Sequence, residues 1–197
     1  MSNQELWVFG YGSLVWKNND FAYESKTAGY LKGFLRRFYQ NSIGHRGVPE
    51  KPGRVVTLVK SDDPESIVYG MGYKIAADKV AQVLDCLDYR EKNGYDRCDT
   101  TFHPLDNSEP KSTIVYVAND KNPSWNSNHN LTDIATQIHE AVGPSGRNID
   151  YVYNLCDAMR TQFENIHDDH LFDLENLLRN LDADDMETID RRLSQDG

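Results

Sequence analysis

Residues 8–14 read Val-Phe-Gly-Tyr-Gly-Ser-Leu, and they are the first place where this chain could do chemistry. An apolar run, Leu6 to Phe9, enters like a buried strand and ends in Gly10-Tyr11-Gly12-Ser13. Glycines at alternate positions let a backbone take positive φ and let a ligand approach it closely. Successive N–H groups in such a loop form a concave anion site, suited to a carboxylate as well as a phosphate. The stretch lacks the third glycine and following helix of a dinucleotide fingerprint, the Gly-Lys-Ser/Thr of a P-loop and the Gly-x-Ser-x-Gly of a nucleophile elbow. Ligand contact and a plain tight turn stand level on this pattern alone.

Glu91 is the second candidate. At ~100° per residue it lies about 20° from Val80 around the axis of a helix expected over 78–92. It also follows Leu87 by one turn, so its carboxylate projects from the apolar face. Burial raises a carboxyl pKa, and the helix C-terminus disfavours negative charge. Both make Glu91 a better proton acceptor near neutral pH. The competing reading is a frayed last turn with Glu91 in solvent, paired with Arg90 or Lys92. On geometry alone that reading is the stronger.

The third region is Arg36–Arg54, where arginines, His45 and glycines gather in an otherwise acidic chain. Such a loop could steer and clamp an acidic substrate, or be an ordinary solvated connection. Other groups carry less. His167 and His170 offer two metal ligands with no third implied, on what reads as helical surface, and a zinc site needs three or four. Cys98 falls in a strand pattern with no evident activating base. The aromatic residues over 30–39 read as core.

The elements that must hold these residues follow from periodicity. Strands are expected at Leu6–Phe9, Thr27–Tyr39, Arg54–Lys60, Ile67–Ile75, Tyr95–Phe102 and Ser112–Ala118. Gly70 and Gly72 inside the fourth suggest a bulge or bend. Helices are expected over 78–92, at Thr132–Val142, Asn148–Phe163 and His170–Leu181. The order favours an α+β fold, a curled or barrel-like sheet with packed helices. Residues 1–181 form the expected domain. Residues 182–197 are acidic, lack a sustained apolar stripe and are expected to be a mobile tail.

A chain of 197 residues with net charge −10 is poorly suited to nucleic acid or an anionic membrane surface. No apolar run reaches spanning length, and the N-terminus lacks a secretory pattern. Cys86, Cys98 and Cys156 are few and far apart, which suits a reduced, cytoplasmic setting.

Taken together, the motifs resemble the ChaC-type γ-glutamylcyclotransferases, the glutathione-specific branch. The resemblance rests on Val8–Leu14 with Trp16, Gly29-Tyr30, Arg36-Arg37-Phe38, Gln40-Asn41-Ser42 with His45–Pro49, Pro52–Leu58, Arg90–Tyr95, and Gly143–Asn148 followed by Tyr151. They occur in one order and extend to His170-Leu171-Phe172. The chain departs from the family at Gly44, where Asp is usual, at Tyr39, where Trp is usual, and at Asn93, where relatives often have Gly.

The resemblance implies a small mixed β-barrel with packed helices and cleavage of glutathione to 5-oxoproline and cysteinylglycine, without cofactor or metal. It implies substrate contact along Val8, Phe9, Gly10, Tyr11, Gly12 and Ser13, and a general base at Glu91. Tyr151 is a weaker candidate for orienting the substrate. Rival readings are a γ-glutamyl-binding module without turnover, and a cyclotransferase for other γ-glutamyl compounds.

Overall fold

The computed structural model describes residues 5–17, 21–90 and 95–195. Leu6–Gly10 (β1) is short and almost wholly buried, as its apolar run requires. It pairs antiparallel with Ile67–Ile75 (β5), which pairs antiparallel with Ser25–Lys32 (β2). Asp96–Pro104 (β6) continues the sheet from β2, and Lys111–Val117 (β7) from β6. A parallel pairing of Trp7 with Thr113 and Val8 with Ile114 closes the barrel in the order β1-β5-β2-β6-β7. Closure leaves none of these strands as a free edge. The expectation of a mixed barrel with packed helices is met.

The single strand expected over Thr27–Tyr39 is instead β2 and Phe34–Ser42 (β3), divided at Gly33 with φ 76°. Only glycine takes that conformation readily, and the turn sends the chain out of the barrel. There β3 pairs antiparallel with Gly53–Lys60 (β4) as a separate ribbon.

Gly70 and Gly72 make no bulge, because β5 pairs with β2 in continuous register. Their purpose is space. A side chain at Gly72 would strike the Phe102 ring, and one at Gly70 would meet Phe9 Cζ at 2.5 Å. Phe102 in turn stacks on Trp7 at 5.8 Å between ring centroids. Large rings fill the barrel where the strand backbone leaves room for them.

The helices pack outside. Val80–Arg90 (α1) buries Val83 and Leu87, as the apolar stripe requires. Leu131–Glu140 (α2) starts at Asn130, whose side chain accepts from Asp133 N. Its chain then turns through a small hairpin, Val142–Gly143 (β8) with Gly146–Arg147 (β9), into Asn148–Gln162 (α3). The last helix, Asp169–Gln195 (α4), does not end at Leu181 as the loss of the apolar stripe suggested.

Helices α3 and α4 are clamped by Glu175, 1 % exposed, which accepts from Arg160 and Arg179. Burial pushes the Glu175 carboxyl up, but the hydrogen bonds from Arg160 and Arg179 outweigh it and hold it below the usual 4.5. The carboxylate therefore contributes stability above the unfolded value, and that contribution is lost as pH falls through the lowered folded value. Glu175→Gln is expected to cost about 2 kcal/mol at pH 7 in urea unfolding. The gap between variant and wild type should narrow below about pH 4; an equal gap at pH 7 and pH 3 would contradict this linkage.

Candidate active site

Where β1 leaves the barrel, its exit loop opens onto a cleft of about 710 Å³. Val8, Phe9, Gly10, Tyr11, Gly12 and Ser13 all line it. The opposite wall is Gln40 to Arg46, from the end of β3 and the loop after it. Val55, Val56, Cys86, Leu87, Tyr95, Tyr116, Ser145 and Tyr151 complete the surface used below.

The glycines of the exit loop do not serve positive φ; Gly12 has φ −114°. They serve close approach instead. A Cβ on Gly12 would lie 2.8 Å from Val56 Cγ2 and 2.9 Å from the Tyr151 hydroxyl. One on Gly10 would lie 2.5 Å from Leu14 Cβ. The loop thus presses against β4 and α3, and passes directly into a 3-10 turn, Ser13–Val15. The opening N–H groups of such a turn have no carbonyl one turn earlier to bond.

Buried polar groups fix the loop. Arg36, 2 % exposed, donates from Nε to the Tyr11 carbonyl at 3.0 Å and from its guanidinium to the Tyr69 carbonyl. It pairs with Asp168 at 2.6 Å. Tyr11 donates its hydroxyl to the Tyr116 carbonyl at 2.6 Å, and Tyr73 donates to the Leu14 carbonyl.

The opposite wall is held as firmly. Arg46, 8 % exposed, donates to the Arg147 carbonyl at 2.9 Å, and its guanidinium carbon lies 5.8 Å from the Tyr151 ring centre. Its own N–H bonds Ser42 Oγ at 3.0 Å, and His45 Nδ1 meets Ser145 Oγ at 3.3 Å. Among the described residues Arg46 has no carboxylate partner. No Asp or Glu is among the described residues lining the cleft, whereas Lys17 and Arg46 are. In a chain of net charge −10, the charged side chains lining this cleft among the described residues are thus basic.

The Arg36–Arg54 segment is not one substrate loop. Arg36 and Arg54 are strand residues buried as structural ties, and only His45 and Arg46 of its basic side chains reach the cleft. Arg54 donates to Gln137 Oε1, the Phe38 carbonyl and the Asn128 carbonyl. Burial among neutral acceptors pushes its guanidinium down to about 10, so it stays charged at neutral pH.

Tyr39 stacks on His129 with ring centroids 3.6 Å apart, beside Trp125 and His170, and does not line the cleft. Gly44 does line it, and a Cβ there would meet nothing within 4 Å. His170 is not helical surface: its Nε2 accepts from Phe38 N at 3.1 Å, and burial, aided by Arg37 and His129, pushes it down to about 3. It is a neutral acceptor that supports β3.

Glu91 lies outside the described residues. The described chain reaches the cleft on both sides of it, at Cys86 and Leu87 of α1 and again at Tyr95. Gln40, Ser42, Tyr116 and Ser145 line the cleft without having been assigned a role from sequence. For Gln40 a signal existed, since it continues the inward face of Phe34, Arg36 and Phe38 and is polar on that face. Tyr116 gave none, because an aromatic residue in a strand reads as core.

Comparison with known proteins bears on what this cleft belongs to. The family model described as ChaC-like protein matches residues 6–181. A relative from Rattus norvegicus, named glutathione-specific gamma-glutamylcyclotransferase 1, is 41% identical over 171 residues, covering 85% of this chain and 76% of that protein. One from Arabidopsis thaliana, named gamma-glutamylcyclotransferase 2-3, is 40% identical over 187 residues, covering 89% of each. A crystal structure of the gamma-glutamyl cyclotransferase specific to glutathione from yeast superposes with a TM-score of 0.81 at 26% identity, covering 90% of this chain and 96% of that one. With its barrel, its exit loop and the whole span from residue 6 to residue 181 matched, the chain belongs to the ChaC-like protein family.

Proposed function

We propose that this chain is a γ-glutamylcyclotransferase that cleaves glutathione to 5-oxoproline and cysteinylglycine. The observation that carries the reading is a cleft lined by the whole stretch Val8–Ser13 together with Arg46. Glutathione carries carboxylates at both ends, and a cleft with cations and no lining carboxylate among its described residues suits it. The names of the relatives from rat and yeast point to the same substrate.

The γ-glutamyl unit brings its own nucleophile. Its α-amine attacks the γ-carbonyl carbon, a C–N bond forms, and the bond from that carbon to the cysteine nitrogen breaks. The products are a five-membered lactam and cysteinylglycine, and no water is consumed. The enzyme's first task is to hold the unit bent, a proximity effect worth up to ~7–11 kcal/mol. Backbone N–H groups of Gly10–Ser13 hold the α-carboxylate in this reading, and the same loop faces the oxyanion that develops on the γ-carbon. Glu91 takes a proton from the α-ammonium; once the new C–N bond has formed the ring nitrogen gives up a second, and the two are delivered to the leaving nitrogen, which departs as the ammonium group of cysteinylglycine. Its place in the chain supports this role, since it lies between the cleft residues Leu87 and Tyr95. Arg46 is available for the glycine carboxylate of the tripeptide.

The test is to incubate the purified protein with glutathione, and separately with γ-glutamylalanine, and to identify products by mass spectrometry. Equal amounts of 5-oxoproline and cysteinylglycine from glutathione are expected, with little from γ-glutamylalanine. Glutathione that binds in calorimetry but stays intact would mark a binding module.

Glu91→Gln is expected to fold normally by circular dichroism and to lose ~10²–10⁴ in turnover. Near-normal turnover would remove Glu91 from the mechanism. Gly12→Ala must move either Val56 or the Tyr151 hydroxyl to make room. A displacement of about 1 Å can cost ~10²-fold in rate, so kcat/KM should fall by at least about tenfold. Unchanged kinetics in Gly12→Ala would show that the loop's close packing does not set the geometry of reaction.

A further inference from the structure

Gln40 is 1 % exposed and lines the cleft, yet its side-chain oxygen Oε1 is buried without a hydrogen-bond partner. Its neighbours on β3 are satisfied within the protein. Asn41 Oδ1 accepts from Asn126 and Gln137, and Ser42 Oγ accepts from Arg46 N. A buried acceptor left alone costs stability, and in a native protein it calls for a reason. The register of β3 against β4 shifts between Arg37 and Gln40, a bulge that inserts an extra residue just before Gln40. Bulges of this kind re-aim a side chain beside a site.

We propose that Gln40 Oε1 is the acceptor for the α-ammonium of the γ-glutamyl substrate and sets the direction of its attack. This rests on the cyclotransferase reading. A γ-glutamyl unit brings a cationic N–H donor into a cleft whose described lining has cations and no carboxylate. The Asn41 side-chain oxygen is already taken. Gln40 therefore offers a side-chain acceptor with no partner within the protein. A neutral amide oxygen can orient the nitrogen by accepting one of its N–H groups while Glu91, in the proposed mechanism, takes the proton.

The test uses Gln40→Met, which keeps length and approximate volume but loses the acceptor, and Gln40→Glu, which keeps an acceptor and loses the amide donor. Three quantities are measured: KM and kcat for glutathione, the melting temperature, and inhibition by deamino-glutathione, in which the α-amine is replaced by hydrogen. Gln40→Met is expected to raise KM for glutathione by ~10–100-fold. Its melting temperature should be unchanged or higher, because the orphaned oxygen is gone. Its inhibition constant for deamino-glutathione should stay within about twofold of wild type, since there is no amine to lose. Gln40→Glu should keep more of the affinity for glutathione than Gln40→Met does.

Several results would overturn the proposal. One is unchanged KM in folded Gln40→Met. Another is a lowered melting temperature without a kinetic change, or failure of both variants to fold, either of which marks a structural residue. Equal weakening of glutathione and deamino-glutathione would assign the oxygen to another group. Weaker binding in Gln40→Glu than in Gln40→Met would mean the amide presents its N–H instead. Wild-type protein that leaves glutathione untouched would remove the cyclotransferase reading itself, an outcome distinct from an active wild type with an indifferent Gln40.

Discussion

One buried guanidinium holds the site to the fold. Arg36 stands on β3, outside the barrel, and reaches the Tyr11 carbonyl in the exit loop of β1, the Tyr69 carbonyl on β5 and the carboxylate of Asp168. Asp168 in turn accepts from Leu171 N at the start of α4. Ribbon, barrel, loop and helix thus meet at one charge. Taking such a charge out of water costs several kcal/mol before its partners repay it, so the arrangement is stable only as a complete set. Its benefit is geometric. A loop that must offer its backbone to a ligand cannot be covered by side chains, so it is pinned from behind through its own carbonyl.

The facing wall is fixed by the same kind of device. Arg54 is enclosed by neutral oxygens of Gln137, Phe38 and Asn128, and its backbone N–H bonds Asn148 Oδ1 at 2.6 Å. Asn148 opens α3 and also donates to the Arg54 carbonyl, which ties β4 to the helix that carries Tyr151. The cleft therefore lies between frames held by buried arginines, and Arg46 adds a cation at its surface. In a net acidic chain, the charged residues lining the cleft among those described, Lys17 and Arg46 with His45 beside them, are basic.

Much of the architecture was legible from periodicity, because apolar spacing is a local property of the chain. The strands at Leu6, Arg54, Ile67, Tyr95 and Ser112 and the stripe of Val83 and Leu87 needed nothing else. The errors arose where tertiary context decides. Gly33 looked like an interior strand residue, and only its left-handed φ separates β2 from β3. Gly70 and Gly72 suggested a bulge, whereas they keep register and make room for Phe9 and Phe102, which are distant in sequence. Arg36 and Arg54 fell in a segment that read equally as a substrate clamp or a solvated connection, since nothing in their neighbourhood announces the carbonyls that surround them. Of the site, the pattern of the Gly10–Ser13 loop left ligand contact level with a plain turn, the family resemblance extended the expectation to Val8–Ser13, and all of that stretch lines the cleft. The opposite wall carries polar residues at inward strand positions, and that signal becomes decisive only when the partnerless Oε1 of Gln40 is seen.

The most direct test of this account is a crystal structure of inactive Glu91→Gln protein with glutathione bound. The account places the γ-glutamyl α-carboxylate on the backbone N–H groups of Gly10–Ser13, with the α-amine folded back toward the γ-carbonyl inside the cleft. Glutathione bound extended, or bound away from the Gly10–Ser13 loop, would contradict it.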